Sequence, residues 1–258
     1  LRWDIGLGTT VPHETQYRYN ARHELTGDKY FKNGVFILDL DHTYDPAGNR
    51  TRKVTTDPTT PNSPVTIDST YRADNQIAAA VRTAPLDPPQ TTTYAADANG
   101  NLTQEAAPSG TTNYSYDFED KLRRVDLPAG TSLQLRSSFD GLRVEKTPPG
   151  GVVNRYVLDG LHVLLEKDGT GSTQVRYVPQ LARILADDMR FHLEDALGSV
   201  VGLVDSLQSI TDALRYDACG RTLHQEGAGS PPHQWIGNQA YYLNPEIGLH
   251  LLGLRHYS

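Results

Sequence analysis

The stretch Tyr44-Asp45-Pro46-Ala47-Gly48-Asn49-Arg50 contains the pattern that decides the fold. Tyrosine suits a half-exposed strand, and an aspartate at the strand end can bond the backbone two residues on and begin a turn. A glycine three residues later adopts positive φ at little cost, and the following residues start a new strand. The stretch therefore predicts a hairpin whose turn depends on Asp45 and Gly48.

Related stretches recur along the chain. The residue before each turn is 19, 44, 71, 96, 116 and 139, so the copies lie 20 to 27 residues apart, and a late copy starts at Tyr216. A repeat of this length accommodates two strands of about six residues and two turns. We therefore predict successive hairpins in one long antiparallel sheet. The predicted turn residues are Tyr44, Asp45, Gly48, Asp97, Gly100, Tyr116, Asp117, Asp140, Gly141, Tyr216, Asp217 and Gly220.

The segments between the repeats fit the same interpretation. Residues 57–64 and 85–89 are rich in proline, which cannot serve a central strand, so they are predicted as loops. Residues 162–166 and 172–178 are predicted as the two strands of a hairpin. Residues 181–187 are compatible with two helical turns and equally with a strand or loop.

Composition excludes several classes of protein. Only 37% of the 258 residues are hydrophobic, which indicates ordered structure with an unusual share of water-facing surface. No stretch approaches the roughly 18 apolar residues of a membrane span. The net charge of −7 comes without a basic run, which argues against a nucleic-acid partner. The single cysteine, Cys219, excludes an internal disulfide framework and a cysteine-based zinc site.

From about residue 187 the chain is denser in apolar residues, and its motifs appear in a fixed order. Residues 195–205 are followed by Tyr216–Arg221, by Asn244-Pro-Glu-Ile-Gly-Leu249 and by Arg255-His-Tyr257. Together with the repeats, this order resembles the YD-repeat, or RHS (rearrangement hotspot), family and its associated core domain. The resemblance predicts a repeat array over 1–186 and a core region over 187–258. The core-motif residues carried over are Asp195, Gly198, Pro245, Gly248 and Arg255.

The resemblance implies an all-β fold in which successive hairpins form a spiral antiparallel sheet, part of a hollow shell. In bacterial polymorphic toxins and in the C component of insecticidal toxin complexes, such a shell encloses a C-terminal toxin or effector. It implies secretion or a cell-surface location. The implied partners are the remaining shell, of the same or another chain, the enclosed polypeptide and the secretion machinery.

The family's self-cleaving aspartates follow the core domain, and this chain ends before them at Ser258, so we expect no enzyme and no cofactor. A binding role stays open as an alternative. The tyrosine- and threonine-rich strands favour carbohydrate binding or adhesion at a cell surface in that case, since aromatic faces stack on sugars. A self-assembling surface layer or fibre is a further alternative.

Candidate chemical groups favour structural roles. Asp39 and Asp41 share one face of a strand and resemble a metal-binding pair, but an exposed strand is the favoured interpretation. Asp187 and Asp188 are adjacent, so on a strand they point to opposite faces and do not form an acid dyad. The Asp-x-x-Gly turns lack the alternating carboxylates of a calcium loop. We expect no catalytic or metal-binding residue, with His250, His256 and Cys219 interpreted as structural or surface positions.

Overall fold

The computed structural model describes residues 2–3, 13–59, 63–186, 188–195, 198–227, 235–236, 241–252 and 255–257. The chain forms two compact units, Leu1–Asp4 with Thr10–Asn113 and Ile5–Thr9 with Tyr114–Ser258. Every regular element in the described ranges is a strand, which confirms the all-β prediction. Those ranges accordingly hold no helix that is long and apolar enough to cross a bilayer.

The strands of the first unit follow one another with short connections. They are β1 (Arg2–Trp3), β2 (His13–Tyr19), β3 (Leu25–Lys32), β4 (Val35–Tyr44), β5 (Arg50–Thr56), β6 (Val65–Tyr71), β7 (Ile77–Ala84), β8 (Asp87–Ala96), β9 (Leu102–Ala107) and β10 (Gly110–Tyr116), whose last residues belong to the second unit. Each strand from β1 to β9 pairs antiparallel with the next one in sequence.

The second unit continues the same pattern. Its strands are β11 (Leu122–Asp126), β12 (Ser132–Ser137), β13 (Arg143–Thr147), β14 (Asn154–Asp159), β15 (His162–Lys167), β16 (Thr173–Val178), β17 (Ala182–Leu185), β18 (Asp188–Glu194), β19 (Val200–Val204), β20 (Ile210–Tyr216), β21 (Thr222–Gly227), β22 (Trp235–Ile236), β23 (Tyr241–Asn244), β24 (Leu249–Leu252) and β25 (Arg255–Tyr257). Strands β11 to β21 form consecutive antiparallel pairs, and β22 to β25 form a separate four-stranded sheet of the same kind.

The strands alternate between a buried and an exposed face, as the period of two residues requires. In β16, Val175 and Tyr177 are buried while Gln174 and Arg176 are exposed. Apolar residues from neighbouring strands meet on the buried face, as in the cluster of Tyr156, Val163, Val175 and Tyr177. A second cluster joins Val200, Leu203 and Leu214. The second unit thus has small local cores along its sheet.

The structure decides two of the local predictions. The hairpin predicted over 162–178 is confirmed as β15 and β16, with a turn at 168–172. In 181–187, residues 182–185 form β17, so the helical alternative is wrong; Asp187 lies outside the described residues. Strands β17 and β18 pair across the predicted domain boundary at residue 186, and that boundary stays a prediction.

The proline-rich segments behave differently from each other. The described part of 57–64 is irregular, as predicted. Pro88 and Pro89, however, lie inside β8, so the prediction of a loop through residue 89 is wrong. The register with β7 shifts between Arg82 and Ala84, and pairing with β9 begins only at Thr93. Both prolines therefore occupy an irregular strand start, where a missing N–H costs little.

Candidate functional site

The repeated motif forms a five-residue turn with one hydrogen-bonding scheme. In the copy that begins at Asp45, the amide of the first residue donates to the carbonyl of the fifth, Asn49, over 3.0 Å. The amide of the fourth residue, Gly48, donates back to the carbonyl of Asp45 over 3.1 Å. The Asp45 carboxylate accepts the amides of Ala47 and Asn49, both at 2.9 Å. These bonds, with those from the Asn49 side chain as the largest cause, lower the pKa of Asp45.

The same scheme recurs at most of the predicted positions. The first residue of the turn supplies a side-chain oxygen to the amide of the fifth residue at Asn20, Asp45, Asp97, Asp117, Asp168, Asp195, Asp205 and Asp217. The fourth residue has positive φ in each, from 60° at Asp120 to 92° at Gly171. Gly100, Gly198 and Gly220 occupy this fourth position with φ of 89°, 76° and 87°. The turns at Asp168 and Asp205 each connect an odd-numbered strand to the next even-numbered one, whereas the other six turns connect an even-numbered strand to the next odd-numbered one.

One copy has a different register from the one expected at Asp140. The turn begins at Ser138, whose amide donates to the carbonyl of Leu142, and Gly141 is its fourth residue with φ of 83°. Asp140 is therefore the third residue, and its carboxylate accepts the Ser138 hydroxyl. The Ser138 hydroxyl lies 3.0 Å from the Leu142 carbonyl oxygen, so serine acts here as a donor, and the backbone bonds close the turn without the amide-to-carboxylate bond of the other copies.

The tyrosine of the motif ties one hairpin to the preceding one. The Tyr44 hydroxyl donates to the carbonyl of Leu25 at 2.8 Å, and the Tyr216 hydroxyl donates to that of Val200 at 2.9 Å. Tyr71 does the same to Arg50 at 3.0 Å. Each of these carbonyls belongs to the first residue of the strand that follows the preceding turn at the same end of the strands. Tyr116 occupies the equivalent place before Asp117, at the end of β10. The motif therefore sets both the turn and the distance to the next one.

Side chains join successive turns of the first unit directly. Arg22 donates to the carbonyls of Asp45 and Pro46 in the next turn, at 3.0 and 3.1 Å. The side-chain amide of Asn49 donates to the side-chain oxygen of Asn75 at 2.9 Å. Arg72 donates to the carbonyl of Tyr94 at 2.6 Å, a residue of β8 that lies three residues before the next turn. The turns thus form a hydrogen-bonded row along one edge of this unit.

A buried polar cluster joins the main sheet of the second unit to its four-stranded sheet. It consists of Arg143, Lys146, Glu166, Tyr177, Asn244 and Glu246. Arg143 donates to the Asn244 side chain at 2.6 Å and also lies 5.0 Å from the Tyr156 ring centre. Lys146 Nζ lies 2.9 Å from Glu246 Oε1. These contacts place the turn after β23 against β13.

Glu166 is the most perturbed carboxyl of this cluster. It is only 6% exposed and accepts the Tyr177 hydroxyl at 2.9 Å. Burial raises the pKa of Glu166 to about 7, although the Tyr177 hydrogen bond and the charges of Lys146 and Arg143 act in the opposite direction. The same face of the sheet buries Arg183, whose pKa is lowered by the loss of water. This face therefore carries charged groups where a globular domain normally has aliphatic ones.

The cluster explains part of the predicted core motif. In Asn244-Pro-Glu-Ile-Gly248, the amides of Ile247 and Gly248 donate to the Asn244 carbonyl, and Gly248 has φ of 65°. Pro245 is the second residue of this turn and is exposed. Sequence reasoning selected Pro245 and Gly248 but missed Asn244 and Glu246 as contact residues, because their partners lie about 100 residues away. Arg255 lies in β25, and its side chain is outside the described part.

A second buried polar group lies in the first unit and was not predicted. Asp28 has no exposed surface, and its carboxylate accepts the Tyr30 hydroxyl and lies 3.2 Å from His42 Nε2. A hydrolase triad also pairs a carboxylate with an imidazole, but its nucleophile contacts the imidazole. Here the hydroxyl contacts the carboxylate, so the arrangement is a structural link between β3 and β4.

The remaining candidate groups also have structural contacts. Asp39 and Asp41 both accept from Arg18 Nη2, at 2.6 and 2.7 Å, which explains the acidic pair without a metal. Asp188 accepts from Arg190 at 2.8 Å. Cys219 is exposed, and its amide donates to Asp217. The described ranges contain no group of three or more His, Cys, Asp or Glu placed to hold a metal. The His250 and His256 side chains lie outside those ranges.

Comparisons with known proteins find similarity among solved structures alone. No family model matches the chain, and no curated protein matches it significantly. The TcdB2–TccC3 complex without its hypervariable C-terminal region aligns over 96% of this chain, with 16% identity and a TM-score of 0.48. The Tc holotoxin pore of Photorhabdus luminescens aligns over 96%, with 19% identity and a TM-score of 0.44. The full TcdB2–TccC3 complex gives 18% identity and a TM-score of 0.44. This chain spans about 16 to 17% of the length of those chains.

Proposed function

We propose that this chain is a wall segment of a YD-repeat shell that encloses a C-terminal toxin or effector polypeptide for delivery outside the cell. The observation that carries the proposal is the repeated joint, in which a five-residue turn caps one hairpin and a tyrosine fixes the next. Such a joint can be added indefinitely without a common core, because each hairpin depends only on its neighbours. This is a property required of an extended wall.

The polar character of the buried face supports the same role. Glu166, Lys146 and Arg183 are buried on the sheet of the second unit. A soluble enzyme domain normally encloses a continuous apolar core and places a few charges in a cleft. A wall has no such requirement, since its stability comes from strand pairing and turn caps. The chain acts in this proposal by steric confinement, with the rest of the shell, the enclosed polypeptide and the secretion machinery as partners.

Limited proteolysis of the natural gene product that contains this chain tests the proposal. We expect polypeptide C-terminal to Ser258 to resist a nonspecific protease under native conditions and to be degraded once the shell is unfolded. The matched control is the same C-terminal polypeptide expressed alone, which should be degraded at once. Equal degradation rates with and without the shell segment would show that nothing is enclosed.

A carbohydrate-binding role is a second candidate, and one observation favours it. The first unit has a groove of about 510 Å³ over β6 to β9. Its lining includes Arg82, Gln90, Thr92, Tyr94 and Ser109, which offer hydroxyl, amide and guanidinium groups beside an aromatic ring. Sugars are bound by this combination of hydrogen-bonding groups and a ring face. A glycan array compared between the parent chain and Tyr94→Ala decides it: binding lost in the variant supports this role, and no binding by the parent rejects it.

A further inference from the structure

Four consecutive turns at one end of the strands of the second unit each carry one exposed large apolar residue. Phe118 and Phe139 are 94% and 96% exposed, and Leu161 and Leu181 are 47% and 53% exposed. We call these four residues the apolar turn row. Each of them lies in a connection from an even-numbered strand to the next odd-numbered one: Phe118 before β11, Phe139 after β12, Leu161 after β14 and Leu181 after β16. Because these strands alternate in direction, all four connections lie at the same end of the strands. Neighbouring tips are two strands apart, about 10 Å.

The turn geometry does not require these side chains. Phe118 and Phe139 are the second residues of their five-residue turns, and in the first unit that position holds Ala21, Pro46, Ala73 and Ala98. The same backbone scheme therefore forms with a small residue. Single exposed apolar residues are ordinary, but four of them on successive turns at the same end of the strands form a candidate interaction surface.

The charges beside the row indicate what kind of surface it contacts. Glu119, Asp120, Asp140 and Asp159 are all exposed in or next to these turns. Residues 138–142, 159–161 and 179–181 include no lysine or arginine, and the turn at 117–121 has three acidic residues and one basic residue, Lys121. A partner surface that is complementary to the row combines apolar groups with positive charge.

The exposed face of strands β14 to β17 in the same unit offers such a surface. Val157, Leu165, Arg176 and Ile184 are paired in sequence across β14 to β17, so their side chains share one face. Val157 and Arg176 are exposed, and Leu165 and Ile184 are half-buried. Arg155 and Lys167 pair directly beside this group, and Arg155 also forms an ion pair with Glu145 of β13 at 3.1 Å, which leaves a net positive charge on the group. We call Val157, Leu165, Ile184, Arg155, Lys167 and Arg176 the basic patch.

We propose that the apolar turn row of one copy of this chain docks on the basic patch of a second copy. The two surfaces are different and lie on the same unit, so after one contact forms one copy retains a free basic patch and the other retains a free apolar turn row. Such a heterologous contact propagates into a ring or a filament. The proposal does not depend on enclosure of a cargo, and a negative result here leaves the protease experiment above unaffected.

Sedimentation velocity of the 258-residue chain over a wide concentration range tests the contact. We expect association that grows with concentration and weakens with added salt, because salt screens the acidic and basic surfaces. The double variant Phe118→Ser/Phe139→Ser should raise the dissociation constant about tenfold or more. Leu207→Ser is the matched control, since Leu207 is 83% exposed in a turn at the opposite edge, and it should associate like the parent. All changed side chains are exposed, so thermal unfolding should be unchanged.

Mixing two defective variants distinguishes docking from nonspecific aggregation. Val157→Glu/Arg176→Glu reverses the patch and leaves the row intact, so it should not self-associate. Mixed with Phe118→Ser/Phe139→Ser, which keeps the patch, it should give a one-to-one dimer and nothing larger. A parent chain that stays monomeric, association that is unchanged in either double variant, or a mixture that stays monomeric would each overturn the proposal.

Discussion

Replacement of Glu166 by glutamine should make the second unit more stable at neutral pH than the parent. Glu166 is buried beside Tyr177, and its pKa is raised to about 7 from 4.5, mainly by loss of water. Glutamine keeps an oxygen that can accept the Tyr177 hydroxyl and has no charge to bury. The pKa difference corresponds to about 3 kcal/mol between the two protonation states.

The sign of the pH dependence follows from proton binding. Between pH 4.5 and about 7, the folded chain retains a proton on Glu166 that the unfolded chain has lost. The contribution of Glu166 to the free energy of unfolding therefore falls as the pH rises through this window, and this contribution is constant below and above it. In Glu166→Gln this contribution is absent. The stability difference between variant and parent should be small near pH 4.5 and reach about 3 kcal/mol above pH 7.

Urea-induced unfolding measures this difference. A Trp3→Phe background leaves Trp235 as the fluorescent reporter in the second unit. Glu119→Gln is the matched control, because it makes the same chemical change at a side chain that is exposed in a turn. A Glu166→Gln difference that is flat across the window, or that decreases as the pH rises, would refute the burial argument.

Three further changes test the joint and the cluster. Gly48→Ala should destabilise the first unit by about 1–2 kcal/mol through positive φ alone, since an added Cβ meets Glu24 at an ordinary 3.8 Å. Gly48→Asn should destabilise it less. Equal melting temperatures of the parent and Gly48→Ala would contradict this. Tyr216→Phe should cost about 1 kcal/mol by removing the bond to the Val200 carbonyl, with exposed Tyr19→Phe as a neutral control in thermal unfolding. Lys146→Met should cost about 3–5 kcal/mol because Glu246 loses its buried partner, and hydrogen exchange over 241–252 should rise; unchanged protection would mean that Lys146 does not hold this segment.

The five-residue turn was predictable from sequence because its interactions are local, whereas the tyrosine hydrogen bond to the preceding hairpin, such as Tyr44 to Leu25, spans 19 residues and was not predicted. Asp45 and Gly48 are three residues apart, and the side-chain bonds of Asp45 reach at most four residues along the chain. Turn chemistry of this kind depends on residue type at fixed offsets. The same logic misaligned one copy, since Ser138 and Asp140 both suit a turn start, and the backbone bonds make Ser138 the first residue of the turn.

The buried polar cluster was not predictable for the opposite reason. Arg143 and Asn244 are 101 residues apart, and nothing local to either of them indicates the other. Arg143 and Lys146 are three residues apart, so strict alternation along β13 predicts opposite faces, and the pairing of β13 with β12 has a register shift that the sequence does not indicate. Both residues are also basic, which suggests an exposed position. Their burial depends on Asn244 and Glu246, which arrive with the four-stranded sheet. Sequence reasoning therefore identified the Asn244–Gly248 turn and missed what it contacts.

Local joints and variable strands together explain how one chain combines a regular framework with different surfaces. The five-residue turn needs a suitable first residue and a fourth residue that tolerates positive φ, and it leaves the second position free. In the first unit that position holds alanine or proline, and in the second unit it holds small residues such as Gly169 and Ala218 as well as Phe118 and Phe139, with the same backbone bonds. Because the framework does not constrain this position, a change there alters what the edge binds and leaves the hairpin intact. For this reason the exposed phenylalanines are better explained by a contact than by the fold.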